Sequence, residues 1–325
     1  MTFDFDEIEK IACGIERTNV NEEGALELLR FTDAEAEYYG WRTDGKPTAS
    51  AGVRLELETD ASALSLACDI YQGSSRKFFA FDVFADDKLL KSAGIKDAEF
   101  PVRDFKVETD LPSGNKTVRI VFPWSVSPKI KNFELSGSTY VRPVAKKHKM
   151  IIYGDSITQG YDCTHPPASY ASRITDFLCA DAVNKAIGGE FFCPEFAGMK
   201  GGIIPDIVTV AYGTNDWNKK SNEDFQKDCK GFLETLSERF DRAKIIIFAP
   251  IWRADCEDYR PFGAFSEARE FIMKTAEELP NATAVDCFDF VPHDRKYFSD
   301  AYLHPNDEGF GFYADALIEK IKEII

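Results

Sequence analysis

The stretch HKMIIYGDSITQGYD, residues 148–162, decides how the rest of the chain is read. Four apolar residues, Met150 to Tyr153, run without alternation into Gly154-Asp155-Ser156. A short apolar run bounded by turn residues is a strand buried on both faces, the kind found in a parallel sheet. Glycine, aspartate and serine are ordinary turn formers, so Ser156 is either part of a turn or a hydroxyl presented for chemistry. Asp155 is read as shaping that turn rather than joining the chemistry.

Downstream of this stretch, strand and helix patterns alternate. The region from Ala168, ASYASRITDFLCADA, has a helical pattern, and AVNKAI from Ala182 is a short strand. A buried strand, IPDIVTVAYG from Ile204, leads into SNEDFQKDCKGFLETLSERF. There Ser221 and Asp224 occupy capping positions. Phe225, Cys229, Phe232, Leu233 and Leu236 share one helical face. AKIIIFAPI from Ala243 and TAVDCFDF from Thr283 are further strands, separated by a helix from Ala264. DEGFGFYADALIEKIKEII closes the chain as a helix. The pattern predicts a parallel sheet covered by helices on both faces.

Upstream, the period changes to two. In VRLELE, Val53, Leu55 and Leu57 fall on one face and Arg54, Glu56 and Glu58 on the other. LSLACDI from Leu64, KFFAFDVFADDKLL from Lys77 and KTVRIVFP from Lys116 read as strands, with a hairpin turn at Ala85-Asp86-Asp87. Many short strands and little helix predict an antiparallel β-sandwich. NEEGALELLRF from Asn21 fits a helical turn or a pair of strands equally well. The basic segment STYVRPVAKKHK, 138–149, separates the halves, giving domains at 1–145 and 146–325.

The chain has 325 residues and a net charge of −16, of which −12 falls in residues 150–325. Such a balance argues against nucleic acid, whose phosphates call for lysine and arginine. There is no apolar run of membrane-spanning length. The acidic start, MTFDFDEIEKIACG, does not resemble a secretory signal. Eight scattered cysteines without C-x-x-C read as thiols. Together these predict a cytoplasmic protein.

A serine nucleophile needs a base, and four histidines are available: His148, His165, His293 and His304. His304, in DAYLHPNDEG after the last strand, falls on the same sheet end as Ser156; His165, in CTHPPAS, is its rival. Donors for an oxyanion come from two more strand-end loops. VNKAIGGE offers the Gly188-Gly189 backbone and AYGTNDWN offers the Asn215 amide. No two histidines share metal-ligand spacing, and no phosphate-binding glycine loop occurs. Neither a metal nor another cofactor is expected.

Serine, glycine, asparagine and histidine in this order resemble the four blocks of the SGNH hydrolases, the GDSL-type esterases and lipases. GDSIT, NKAIGG, GTND and LHPND carry the likeness. The resemblance implies a flavodoxin-like three-layer α/β/α domain. It implies Ser156 as nucleophile, His304 as base, and an oxyanion hole of Ser156 N–H, Gly189 N–H and the Asn215 amide. GDSIT lacks the closing glycine of G-x-S-x-G, so an α/β-hydrolase elbow is not implied. The family's triad aspartate stands three residues before the histidine, where this chain has Ala301. Asp300, four before, takes the role if the loop bulges by one residue; otherwise a backbone carbonyl orients His304. The first half resembles, more loosely, the jelly-roll domain that precedes the SGNH domain in some carbohydrate esterases and acyltransferases. The pairing implies a small ester substrate such as an acetylated sugar. Trp217, Trp252 and Phe191, with Phe192, are the aromatics expected to line its site, with Trp124 from the first domain. The alternatives are an acyltransferase using the same acyl-enzyme and a non-catalytic carbohydrate-binding protein.

Overall fold

The period-two segments form strands. A computed structural model describes residues 1–40 and 45–325 and divides them into two units. Met1–Lys146 with Thr164–Pro167 form the first; Lys147–Cys163 with Ala168–Ile325 form the second.

In the first unit, chain order gives α1 (Phe5–Ile11), β1 (Ala12–Cys13), β2 (Arg17–Val20), β3 (Leu26–Leu29), α2 (Asp33–Tyr39), β4 (Arg54–Thr59) and β5 (Ala63–Gln72). These are followed by β6 (Phe79–Ala85), β7 (Lys88–Ile95), β8 (Val102–Asp110), β9 (Lys116–Val121), β10 (Val126–Ser136) and β11 (Val141–Pro143). One sheet has the order β1-β4-β9-β6-β7, with β11 also on β4; the other has β2-β3-β10-β5-β8. Every pairing is antiparallel. Leu55, Leu57, Phe81 and Val83 of one sheet share a core with Leu66, Ile70, Val107 and Phe133 of the other, which makes the unit a β-sandwich. Asp86 and Asp87 both have positive φ, 46° and 64°, and close β6 onto β7 as a two-residue hairpin. The ambiguous segment from Asn21 is the turn and second strand of the β2–β3 pair. Two of the three charged residues on the polar face of β4, Arg54 and Glu56, are buried and paired at 3.1 Å.

The second unit contains β12 (His148–Gly154), α3 (Ser156–Gln159), α4 (Tyr170–Phe177), β13 (Ala180–Asn184), α5 (Pro194–Ala197), β14 (Ile207–Ala211) and α6 (Thr214–Lys219). After them come α7 (Asn222–Arg239), β15 (Lys244–Ala249), α8 (Phe265–Glu277), β16 (Ala282–Asp286) and α9 (Asp307–Ile324). The five strands run parallel in the order β13-β12-β14-β15-β16, the doubly wound order of flavodoxin-like sheets. The switch point lies between β12 and β14, so the loops after these strands flank the ligand crevice. The apolar face of α7 is buried as its spacing requires, and Ser221 accepts the Asp224 N–H at 3.1 Å. Several boundaries differ from expectation: β14 starts at Ile207 rather than Ile204, and β16 ends at Asp286 rather than Phe290. The helix from Ala168 does not extend to Ala182: Cys179 turns into left-handed backbone, φ 49°, and Ala180 already belongs to β13. Among the described residues, no helix is long and apolar enough to cross a membrane, and no cysteine is in a disulfide.

Candidate active site

The site begins with the turn after β12. Gly154 has no room for a side chain: a Cβ there would lie 2.1 Å from Thr158 Oγ1. Asp155 caps α3, accepting the Ile157 N–H at 2.9 Å, and is itself buried. Burial pushes the Asp155 carboxyl up to about 7, opposed by the Ile157 N–H and by the charge of His304. Asp155 also lines a cavity of about 20 Å³ with Thr158, Tyr170, Tyr212, Thr214 and Tyr313. This turn fixes Ser156 at the first position of α3.

The loop after β13 is tied to that turn. Asn184 Nδ2 donates to Thr158 O at 2.9 Å, Gly188 N–H to Gln159 Oε1 at 2.8 Å, and Ile187 N–H to Gly154 O at 3.1 Å. Gly189 follows with φ 90°, a conformation that favours glycine. After β14, Asn215 lies in the first turn of α6, and its Nδ2 donates to Glu190 O at 2.9 Å. The amide, Gly189 and Ser156 are thus brought to one end of the sheet by hydrogen bonds between their loops. Neither Ser156 N–H nor Gly189 N–H donates to a backbone carbonyl among the described residues.

His304 arrives from the loop between β16 and α9. Its Nε2 lies 2.9 Å from Ser156 Oγ, and its Nδ1 lies 2.8 Å from Asp300 Oδ2. The extra residue between Asp300 and the ring is absorbed at Ala301, whose φ is 56°. Asp300 Oδ1 accepts the N–H groups of Tyr302, Leu303 and His304 at 2.9, 2.7 and 3.1 Å. Burial works against the charged form of Asp300, but the bonds from His304 and Leu303 outweigh it and hold the carboxyl well below the usual range. Of the two ways to orient His304 that the sequence leaves open, the structure has the aspartate.

Sequence reasoning missed a second support. Arg253, buried beyond β15, donates to Asp255 Oδ1 and Oδ2 at 2.5 and 3.1 Å and to Thr214 O and Oγ1 at 2.8 and 3.0 Å. It also donates to Tyr302 Oη at 2.6 Å. One guanidinium therefore joins the residue before Asn215 to the loop that carries His304. The signal was a charged pair, Arg253 and Asp255, placed directly after a buried strand.

The expected aromatics differ in how far they are buried. Trp217, expected to line the substrate site, is 1% exposed, enclosed by Phe265, Arg253 and Arg260, and its Nε1 donates to Gly263 O. Trp252 is half-buried with one face stacked on His293 at 5.3 Å. Phe191 is half-buried under Lys220 Nζ at 4.2 Å, and Phe192 is buried. Trp124 is buried within the first unit. His165, the rival base, groups with the first unit, where its Nδ1 lies 3.1 Å from Asp82 Oδ2.

A model of the GDSL-like lipase/acylhydrolase family matches residues 152–311, which span the Ser156 turn, both donor loops and His304. The second unit belongs to this family. The second unit is an ester hydrolase in type, and the antiparallel sandwich forms the first unit. No curated relative matches the sequence of the chain. Among solved structures it resembles SsfX3, a salicylyl-acyltransferase from a tetracycline biosynthetic pathway, at 21% identity and TM-score 0.83, over 96% of this chain and 94% of that one. It also resembles a putative GDSL-like lipase from Bacteroides ovatus, at 18% identity and TM-score 0.70, over 98% and 96%. A family two carbohydrate esterase from Cellvibrio japonicus is similar at 17% identity and TM-score 0.66, over 98% and 96%. At these identities the likeness speaks for a shared two-domain fold.

Proposed function

We propose that the GDSL-like chain is a serine esterase for small acyl esters, acetyl esters of carbohydrate foremost. The observation that carries this reading is the unbroken line Ser156 Oγ, His304, Asp300, with separations of 2.9 and 2.8 Å. Both lie in the range of direct hydrogen bonds. Asp300 holds the proton on Nδ1, leaving Nε2 to accept the Ser156 proton as Oγ attacks the ester carbonyl. The negative oxygen is received by Ser156 N–H, Gly189 N–H and the Asn215 amide. His304 then passes its proton to the departing alcohol, leaving the acyl group on Ser156. Water, deprotonated by the same nitrogen, attacks the acyl-enzyme; the bond from Ser156 Oγ to the acyl group breaks, Oγ takes the proton back from Nε2, and the acid is released. The carbohydrate preference is supported by the likeness to a family two carbohydrate esterase.

A second reading, acyl transfer to an alcohol acceptor, draws on the likeness to SsfX3 across both units. The two share every step up to the acyl-enzyme and differ in what attacks it.

Chromogenic esters from acetyl to long acyl chains, tested on wild type and Ser156→Ala, decide both points. Wild type is expected to turn over acetyl esters best, and the variant to lose about 10³-fold or more in kcat. Full activity in the variant overturns the esterase; best turnover of long chains overturns the small-acyl preference alone. Products formed with and without an added sugar alcohol separate hydrolysis from transfer.

A further inference from the structure

A second carboxylate reaches the ring nitrogen that Asp300 holds. Asp162 Oδ2 lies 3.7 Å from His304 Nδ1, against 2.8 Å for Asp300 Oδ2. The Asp162 side chain is the more shielded of the two, 10% exposed against 30%. It sits on the turn that begins at Ser156: Tyr161 N–H donates to Ser156 O and Cys163 N–H to Gly160 O, at 2.9 and 3.1 Å. Its backbone is left-handed, φ 67°, a conformation disfavoured for most residues and best tolerated by aspartate and asparagine. Ser299 Oγ donates to Asp162 O at 3.4 Å, binding this turn to the loop that carries His304. The Tyr161 ring stacks on the imidazole at 5.6 Å. The turn that presents the nucleophile therefore also aims a shielded carboxylate at the base.

We propose that Asp162 is a second acidic partner of His304, sharing the Nδ1 side of the ring with Asp300 and taking over the Nδ1–H when Asp300 is lost. It is a positioning residue, and its role rests on the reading of His304 as the base. A shift of about 1 Å brings the 3.7 Å separation into hydrogen-bond range. The charged groups facing the ring are Asp300 from its own loop, Asp162 from the α3 turn, and the buried Asp155 behind Ser156. With Asp162 present, the imidazolium formed during attack meets one more negative charge than without it.

The test is a double-mutant cycle of Asp162→Asn and Asp300→Ala in the full chain, with kcat, KM and the pH profile of kcat/KM for an acetyl ester. Asparagine fits the left-handed position and keeps the shape, so the variant is expected to fold. Asp162→Asn is expected to lower kcat about five-fold with KM unchanged, since an opposite charge near the imidazolium is lost. The acid limb of its profile moves to lower pH, because the imidazolium gives up its proton more readily. Asp300→Ala loses about 10²-fold, and the double variant about 10⁴-fold, more than the two singles combined. Additive losses, or an Asp162→Asn enzyme with an unmoved acid limb, overturn the proposal. Ser156→Ala, run alongside, separates this outcome from failure of the esterase reading: if it remains active, His304 is not the base of a serine esterase at all.

Discussion

At the scale of single residues, the site is a set of strained or costly choices that the chemistry explains. Gly154 clears space for Thr158, Ala301 adopts left-handed backbone so that Asp300 can reach back, and Asp155 buries a carboxyl beside Ser156. Asp155 has a consequence for stability. Its folded value, about 7, lies above the ordinary unfolded value of about 4, so between these the folded chain holds the extra proton. Stability from this group is therefore fully present below about pH 4 and is lost as pH rises towards 7. Asp155→Asn keeps an acceptor for the Ile157 N–H and removes that loss. Its melting temperature relative to wild type is expected to climb by several degrees from pH 4.5 to 7.5 and then level off; parallel curves contradict it. Ser156 and His304 were legible because their residue types recur at strand ends in order. Asp300 was legible only as one of two alternatives, since whether the loop bulges depends on the backbone of Ala301. Asp162 gave no signal, because a turn aspartate six residues after a serine is common and only coordinates show what it faces.

At the scale of elements, four strand-end loops must be held together, and the structure does so with buried polar links rather than with aromatics. The Gln159–Gly188 bond joins the first loop to the second, Asn215–Glu190 the second to the third, and Arg253 the third to the last. Truncating Arg253 leaves Asp255, 7% exposed, without its bidentate partner, although Arg260 remains at 2.6 Å. Arg253→Ala is expected to cost about 3 kcal/mol and lower the melting temperature by roughly 10 °C. Because Thr214 and Tyr302 lose a common tether, kcat falls more than KM rises; kinetics at a temperature where the variant is folded checks this, and unchanged kcat contradicts it. Periodicity made the strands and long helices visible, since burial imposes it directly. It could not show that the helix from Ala168 yields to β13 at Ala180, a boundary set by one left-handed residue, Cys179. Nor could it show that Trp217 is enclosed by two arginines, because an aromatic at a loop root has the same local pattern whether it is covered or open.

At the scale of the molecule, the change of period near residue 146 marks two different ways of burying a core. Alternating strands bury one face each in the sandwich, whereas continuous apolar strands need helices over both faces in the GDSL-like unit. The excess of negative charge in residues 150–325 gives that unit a preference. Anionic esters are expected to react several-fold more slowly than neutral ones of equal reactivity at low ionic strength, and to catch up as salt screens the field. Steady-state kcat/KM at roughly 0.02 and 0.5 M salt reads this out, and a salt-independent ratio contradicts it. The central claim, that residue 156 supplies the attacking oxygen and residue 304 removes its proton, is tested most directly by covalent capture. A fluorophosphonate ester is incubated with wild type, Ser156→Ala and His304→Ala, and intact mass and peptide mapping are recorded over time. The account predicts one adduct per wild-type chain, on Ser156, none in Ser156→Ala, and labelling at least about 10²-fold slower in His304→Ala. An adduct on another residue, or equal labelling rates in all three proteins, contradicts it.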